Sequence, residues 1–140
     1  MSYNKSKQQI LKEMKYIYYK EITPRLDWMG FLITEDNKPT YHHIYKKEYL
    51  KQEHKDYNAN IENGAYLGKR SHELLHEVER IDHDLYVRWN KLFIIINNLR
   101  DYPSEDIWNI IFELQDLSVN LVIEHKKSKS QIKSLKKLDI

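Results

Sequence analysis

Apolar residues recur every three or four positions through residues 5–22, at Ile10, Leu11, Met14, Ile17, Tyr18 and Ile22, with lysines between them. That spacing predicts an amphipathic helix, and Pro24 marks its end. The pattern then changes: "GFLIT" (30–34) and "TYHHIY" (40–45) are β-leaning runs on either side of the turn-forming "EDNKP". "EYLKQEHKDYNANIENG" is polar and irregular and predicts a loop, from which "AYLGKR" returns as a short strand. Ser71 stands where a helix N-cap belongs, with Glu73 and Glu77 suited to the early turns. From there Val78, Ile81, Leu85, Leu92, Ile95 and Leu99 form a stripe that predicts one continuous helix of about eight turns. "RDYPSED" breaks it, and Pro103 and Ser104 open another helix with Ile107, Ile110, Leu114, Leu117 and Leu121 on its apolar face. Trp108, Phe112 and Val122 widen that face, which suits burial in the monomer core or, as the alternative, a homodimer contact. The two segments predict an antiparallel helical hairpin, and the whole chain an α+β fold that is mostly helical.

Composition supports the helical emphasis. The chain has 140 residues with only three glycines, so few glycine-dependent turns are available. This length suits one domain with a modest core. No cysteine is present, which excludes disulfides, thiolate metal ligands and a cysteine nucleophile. The lysine-rich start has no apolar signal stretch, and runs such as "LFIII" are far too short to span a bilayer. A cytoplasmic protein with no membrane partner is expected. The net charge of +2 is unevenly spread, because residues 126–140 hold six lysines against one aspartate. Residues 1–125 therefore read as the domain and 126–140 as a flexible basic tail, either a solvated end or an arm that grips phosphates.

"SHELLHEVER" contains His72, Glu73 and His76 in the H-E-x-x-H spacing of zinc proteases. Residues four apart lie about 40° apart around a helix, so both histidines can face one metal ion. A protease would need Glu73 as base and a third ligand. The positions where one zincin class places a helix-breaking glycine and its third ligand hold Glu79 and Asp82, within a helical pattern. Nothing singles out Glu105, Glu113 or Glu124 as a ligand from a later helix. Upstream, "TYHHIYKK" carries adjacent His42 and His43, whose side chains point to opposite faces of a strand. Asn63 precedes a glycine at the mouth of the returning turn.

Taken together, "YHHI", "ENGA" and "SHELLH" resemble the HNH (His-Asn-His) endonucleases over residues 40 to about 80. The steps from Asn63 to His72 and from His72 to His76 fit that family, and the flanking helices look like those of a phage- or prophage-type branch. The resemblance implies a ββα-metal core, a β-hairpin plus one metal-binding helix, flanked here by an N-terminal helix and a C-terminal helical hairpin. It implies His42, His72 and His76 as ligands of one divalent metal ion, His43 as the general base that activates water, and Asn63 as the residue that holds the loop and orients His43. Glu73 then has no catalytic duty. The implied reaction is hydrolysis of DNA phosphodiester bonds in a bacterial or phage-infected cell. Imidazole ligands favour Zn²⁺, Ni²⁺ or another transition ion such as Mn²⁺ over Mg²⁺. Lys46, Lys47, Lys51, Lys55, Lys69 and Arg70 surround the motif as candidate DNA-backbone contacts. The long, glycine-free segment after "HHI" and the acidic final helix motivate an alternative. In that reading the scaffold is catalytically degenerate and docks on another protein, as a phage-encoded inhibitor or adaptor would, through acidic and tyrosine-rich surfaces.

Overall fold

A computed structural model describes residues 5–45 and 60–138. Helix α1 (Lys7–Met14) begins at a capping box in which Ser6 and Gln9 satisfy each other's backbone N–H groups, and it continues as a π-helical turn, Lys15–Tyr19. A two-stranded antiparallel sheet follows, β1 (Pro39–His43) against β2 (Gly64–Gly68), with His42 opposite Ala65 and His43 opposite Gly64. Three helices complete the chain: α2 (Lys69–Ile81), α3 (His83–Leu99) and α4 (Glu105–Leu138). Among the described residues, no helix is long and apolar enough to cross a membrane.

The segment "GFLIT" does not form a strand. Asp27 bends the chain there: its Oδ1 accepts the N–H groups of Met29 (2.9 Å) and Phe31 (3.0 Å), and Gly30 takes a positive φ of 84°. Only isolated bridges result, Leu26 with Leu32 and Thr34 with Asn37. The other Asp27 oxygen accepts the Gly68 N–H at 2.8 Å and so pins the end of β2. Burial raises the pKa of this carboxyl, against the hydrogen bonds from Ser71, Gly68, Phe31 and Met29.

Ser71 is not the N-cap. Helix α2 starts at Lys69, and its free N–H groups are met from a distance: Asn37 Oδ1 accepts from Arg70 N at 2.8 Å and Ser71 N at 3.4 Å. A Cβ at Gly68 would run into that Asn37 side chain, so glycine is what lets the amide reach the helix. The long predicted helix is also two helices. Asp82 is extended (φ −142°, ψ 92°), and its side chain accepts the Leu85 N–H at 3.2 Å, capping α3 and turning the chain back. Helix α4 runs on through the predicted tail to Leu138, with residues 126–137 helical and exposed. At 100° per residue, Lys126, Lys129, Lys133, Lys136 and Lys137 fall within an arc of about 100°.

Trp28, Trp89, Tyr18, Tyr19, Tyr66 and Phe93 are the largest fully buried side chains. Buried tyrosines tie segments together, as when Tyr18 Oη donates to the Asn97 carbonyl at 2.5 Å and Tyr19 Oη to that of Leu26 at 2.6 Å. Tyr18, Tyr19, Tyr41, Tyr66 and Tyr86 therefore belong to the core, not to a tyrosine-rich docking surface. Asn97 joins helix to sheet, donating to the carbonyls of Ile61 (2.6 Å) and Gly64 (2.8 Å).

Candidate metal centre

Alternation along β1 decides which histidine faces α2. Thr40 and His42 point toward the helix, whereas Tyr41 and His43 lie on the opposite face with their rings edge to face, 4.8 Å between centroids. His42 is buried at 3% exposure, enclosed by His72 of α2 and by Tyr86, Asn90 and Phe93 of α3. Its Nδ1 lies 3.4 Å from Nε2 of His72. Each ring's other nitrogen has its own neighbour: His42 Nε2 stands 2.9 Å from Asn90 Oδ1, and His72 Nδ1 stands 3.1 Å from Thr40 Oγ1.

Burial, opposed by the Asn90 contact, lowers the His42 pKa to about 3. Half-buried His72 is lowered to about 4, also mainly by burial, with nearby histidines adding to the effect. Both rings are thus neutral near pH 7, the state in which imidazole binds metal. Two nitrogen ligands about 2.0–2.1 Å from a tetrahedral ion stand about 3.3–3.4 Å apart. The separation of His42 and His72 fits that edge.

His76, one turn further along α2, stacks on His72 with centroids 4.7 Å apart, and its Nδ1 lies 3.6 Å from Glu79 Oε1. Among the described residues, no three histidine, cysteine or acidic side chains converge as a metal-binding group. The structure therefore brings His42 and His72 together and leaves His76 exposed beside them.

Asn63 is buried in the 3₁₀ turn Ile61–Asn63, which Asn60 caps by accepting the Asn63 N–H at 3.2 Å. Its side chain grips Tyr45 from both sides, accepting the Tyr45 N–H at 2.7 Å and donating to the Tyr45 carbonyl at 3.0 Å. Its carbonyl also accepts the Ile44 N–H at 2.9 Å. Asn63 thereby holds the chain immediately after His43, and these bonds act on backbone. Lys69 and Arg70 are exposed in the first turn of α2, where they share a cleft of about 460 Å³ with Lys38, Glu35, Asp36 and Glu73. Three carboxylates balance three cations in that cleft. Glu73 opens onto it, a direction different from the paired rings. Lys46, Lys47, Lys51 and Lys55 lie outside the described residues.

Asn90 and Thr40 are the residues that the reading of the sequence missed. Thr40 shares the His42 face by strand alternation, a signal present in "TYHH". Asn90 is a half-buried amide between Trp89 and Phe93 in an apolar stripe. Comparison with protein-family models, with curated proteins and with solved structures found no match to this chain.

Proposed function

We propose that the chain is a metal-dependent endonuclease of the HNH type, built on a ββα-metal core formed by β1, β2 and α2, that hydrolyses DNA phosphodiester bonds. The observation that carries this reading is the 3.4 Å approach of His42 Nδ1 and His72 Nε2, from strand and helix, at the spacing of two ligands on one ion. The order of elements and the Asn63 clamp on the strand end that bears His43 support it.

In this reading His42 and His72 hold a divalent transition ion, and exposed His76 completes the set from the same helix face. When bound, the ion supplies positive charge to the phosphoryl oxygens and the departing 3′ oxygen. His43 is the base that accepts a proton from the attacking water, which this reading places at the end of β1, because His43 leaves the strand on the face opposite His42. Asn63 keeps the backbone after His43 in place. Lys69, Arg70 and the lysine-bearing end of α4 contact phosphates.

The test is cleavage of plasmid DNA by purified protein with Zn²⁺, Ni²⁺, Mn²⁺ or Mg²⁺, beside His43→Ala and Glu73→Gln. Expected are metal-dependent cutting, its loss in His43→Ala and its retention in Glu73→Gln. Intact DNA with every metal, or undiminished cutting by His43→Ala, refutes the nuclease. A stoichiometric complex with another protein, unaffected by His43→Ala in a chain that cuts nothing, would identify the degenerate binding scaffold instead. Proteolysis abolished by Glu73→Gln would identify a protease.

A further inference from the structure

The hydrogens around the two facing imidazoles can be placed by counting donors. Thr40 Oγ1 carries one hydrogen and donates it to the Leu67 carbonyl at 2.8 Å, which can only accept. Toward His72 Nδ1, 3.1 Å away, the hydroxyl must therefore accept, and His72 carries its proton on Nδ1. Its Nε2 is left with a lone pair. At the other ring, the amide oxygen of Asn90 can only accept, so His42 carries its proton on Nε2 and presents a lone pair at Nδ1. Two lone pairs then meet across 3.4 Å. Such an arrangement is repulsive by itself and favourable around a cation.

We propose that Asn90 is a positioning residue that, together with Thr40, holds the two rings in the tautomers that make His42 and His72 a ready half-site for a divalent transition ion. Metal-binding histidines commonly donate their second N–H to an outer oxygen that fixes tautomer and ring orientation. Here the outer oxygens come from a strand neighbour and from α3, a helix beyond the β1-β2-α2 unit. The inference rests on the metal reading above but concerns a residue to which that reading assigns no role. The competing arrangement is specific. Were the Asn90 amide turned to present its NH₂, His42 would carry its proton on Nδ1 and donate to His72, and the pair would be an ordinary structural hydrogen bond.

The experiment has two arms. Long-range ¹H–¹⁵N correlation spectra of the metal-free wild-type chain at pH 7.5 report each ring's tautomer. Protons on Nε2 of His42 and Nδ1 of His72 are expected, and a proton on Nδ1 of His42 overturns the proposal. In the second arm, Co²⁺ and Zn²⁺ affinities are measured by chelator competition for wild type, Asn90→Leu and Asn90→Asp, with the cobalt absorption spectrum followed throughout. Loss of the outer acceptor in Asn90→Leu should weaken binding about 10- to 100-fold, while Asn90→Asp, which keeps an acceptor, should stay close to wild type. Unchanged affinity in Asn90→Leu, or no metal binding by wild type, overturns the proposal. Should Asn90→Leu fail to fold in chelator, Thr40→Val removes the acceptor at the other ring and is expected to weaken binding in the same way, and unchanged affinity there counts against the proposal. Metal binding with the expected Asn90→Leu loss but no DNA cleavage would sink the nuclease reading and leave the role of Asn90 standing.

Discussion

Lowering the pH of the metal-free chain from 7.5 to 5 should destabilise it through His42. Burial holds the folded-state pKa of this ring at about 3, whereas an exposed histidine in the unfolded chain titrates near about 6.5. Between those values the unfolded chain binds a proton that the folded chain does not. Stability therefore falls as pH drops through about 6.5, and the loss levels off near pH 3. At pH 5 the unfolded ring is almost wholly protonated and the folded ring almost wholly neutral, a difference of about 2 kcal/mol. His72, held down to about 4 and half-buried, adds in the same direction. The measurement is urea unfolding with chelator present, followed by tryptophan fluorescence, at pH 7.5 and 5 for wild type and His42→Gln. The variant should start less stable at pH 7.5 yet lose about 2 kcal/mol less on acidification, since His42 is the one titrating group that the two proteins do not share. An equal loss in the two proteins would show that His42 is not held neutral by the fold.

Three further outcomes are expected. Asn63→Ala removes both side-chain bonds to Tyr45, so it should cost about 1–3 kcal/mol in denaturant unfolding, and cleavage should fall further than the unfolded fraction explains. Gly68→Ala drives a methyl into the Asn37 amide that caps α2 and should lower stability by about 1–3 kcal/mol in thermal unfolding, whereas alanine at an exposed helical site such as Lys127 should be near neutral. Replacing Lys129, Lys133, Lys136 and Lys137 with alanine should weaken DNA binding and flatten the plot of log affinity against log salt by about 0.9 for each phosphate that is no longer neutralised. An unchanged slope would assign these lysines to solvation alone.

Local periodicity carried the reading of the sequence where structure is local. The apolar stripes placed α1, α3 and α4, the β-leaning "TYHH" and "AYLG" formed β1 and β2, and the i, i+4 spacing put His72 and His76 on one side of α2. What escaped depends on partners far along the chain. Ser71 looked like a cap because caps are usually adjacent, but α2 is capped by Asn37, more than thirty residues earlier. The stripe from Val78 to Leu99 continues in phase across Asp82, so hydrophobic spacing alone could not reveal the break. "GFLIT" has strand composition, but the Asp27 carboxylate collects its N–H groups into a turn. At the candidate centre, periodicity set His42 and His43 on opposite strand faces and His72 and His76 on one helix face, while the pairing of His42 with His72 was expected only from the resemblance to the HNH endonucleases. Neither pointed to Asn90, because nothing in a linear pattern states which helix face will come to rest on a strand.

The extended residue Asp82 also determines how self-sufficient the histidine unit is. Along one unbroken helix Asn90 would sit about 27 Å from His72. The fold-back instead packs α3 against α2 and β2 and returns that amide to the His42 ring. Residues 39–81 cut from this chain would keep every histidine of the motif yet lack the oxygen that orients one of them. Grafting the motif onto another scaffold would thus move its ligands without their alignment, unless the host supplied an acceptor at the place where Asn90 stands.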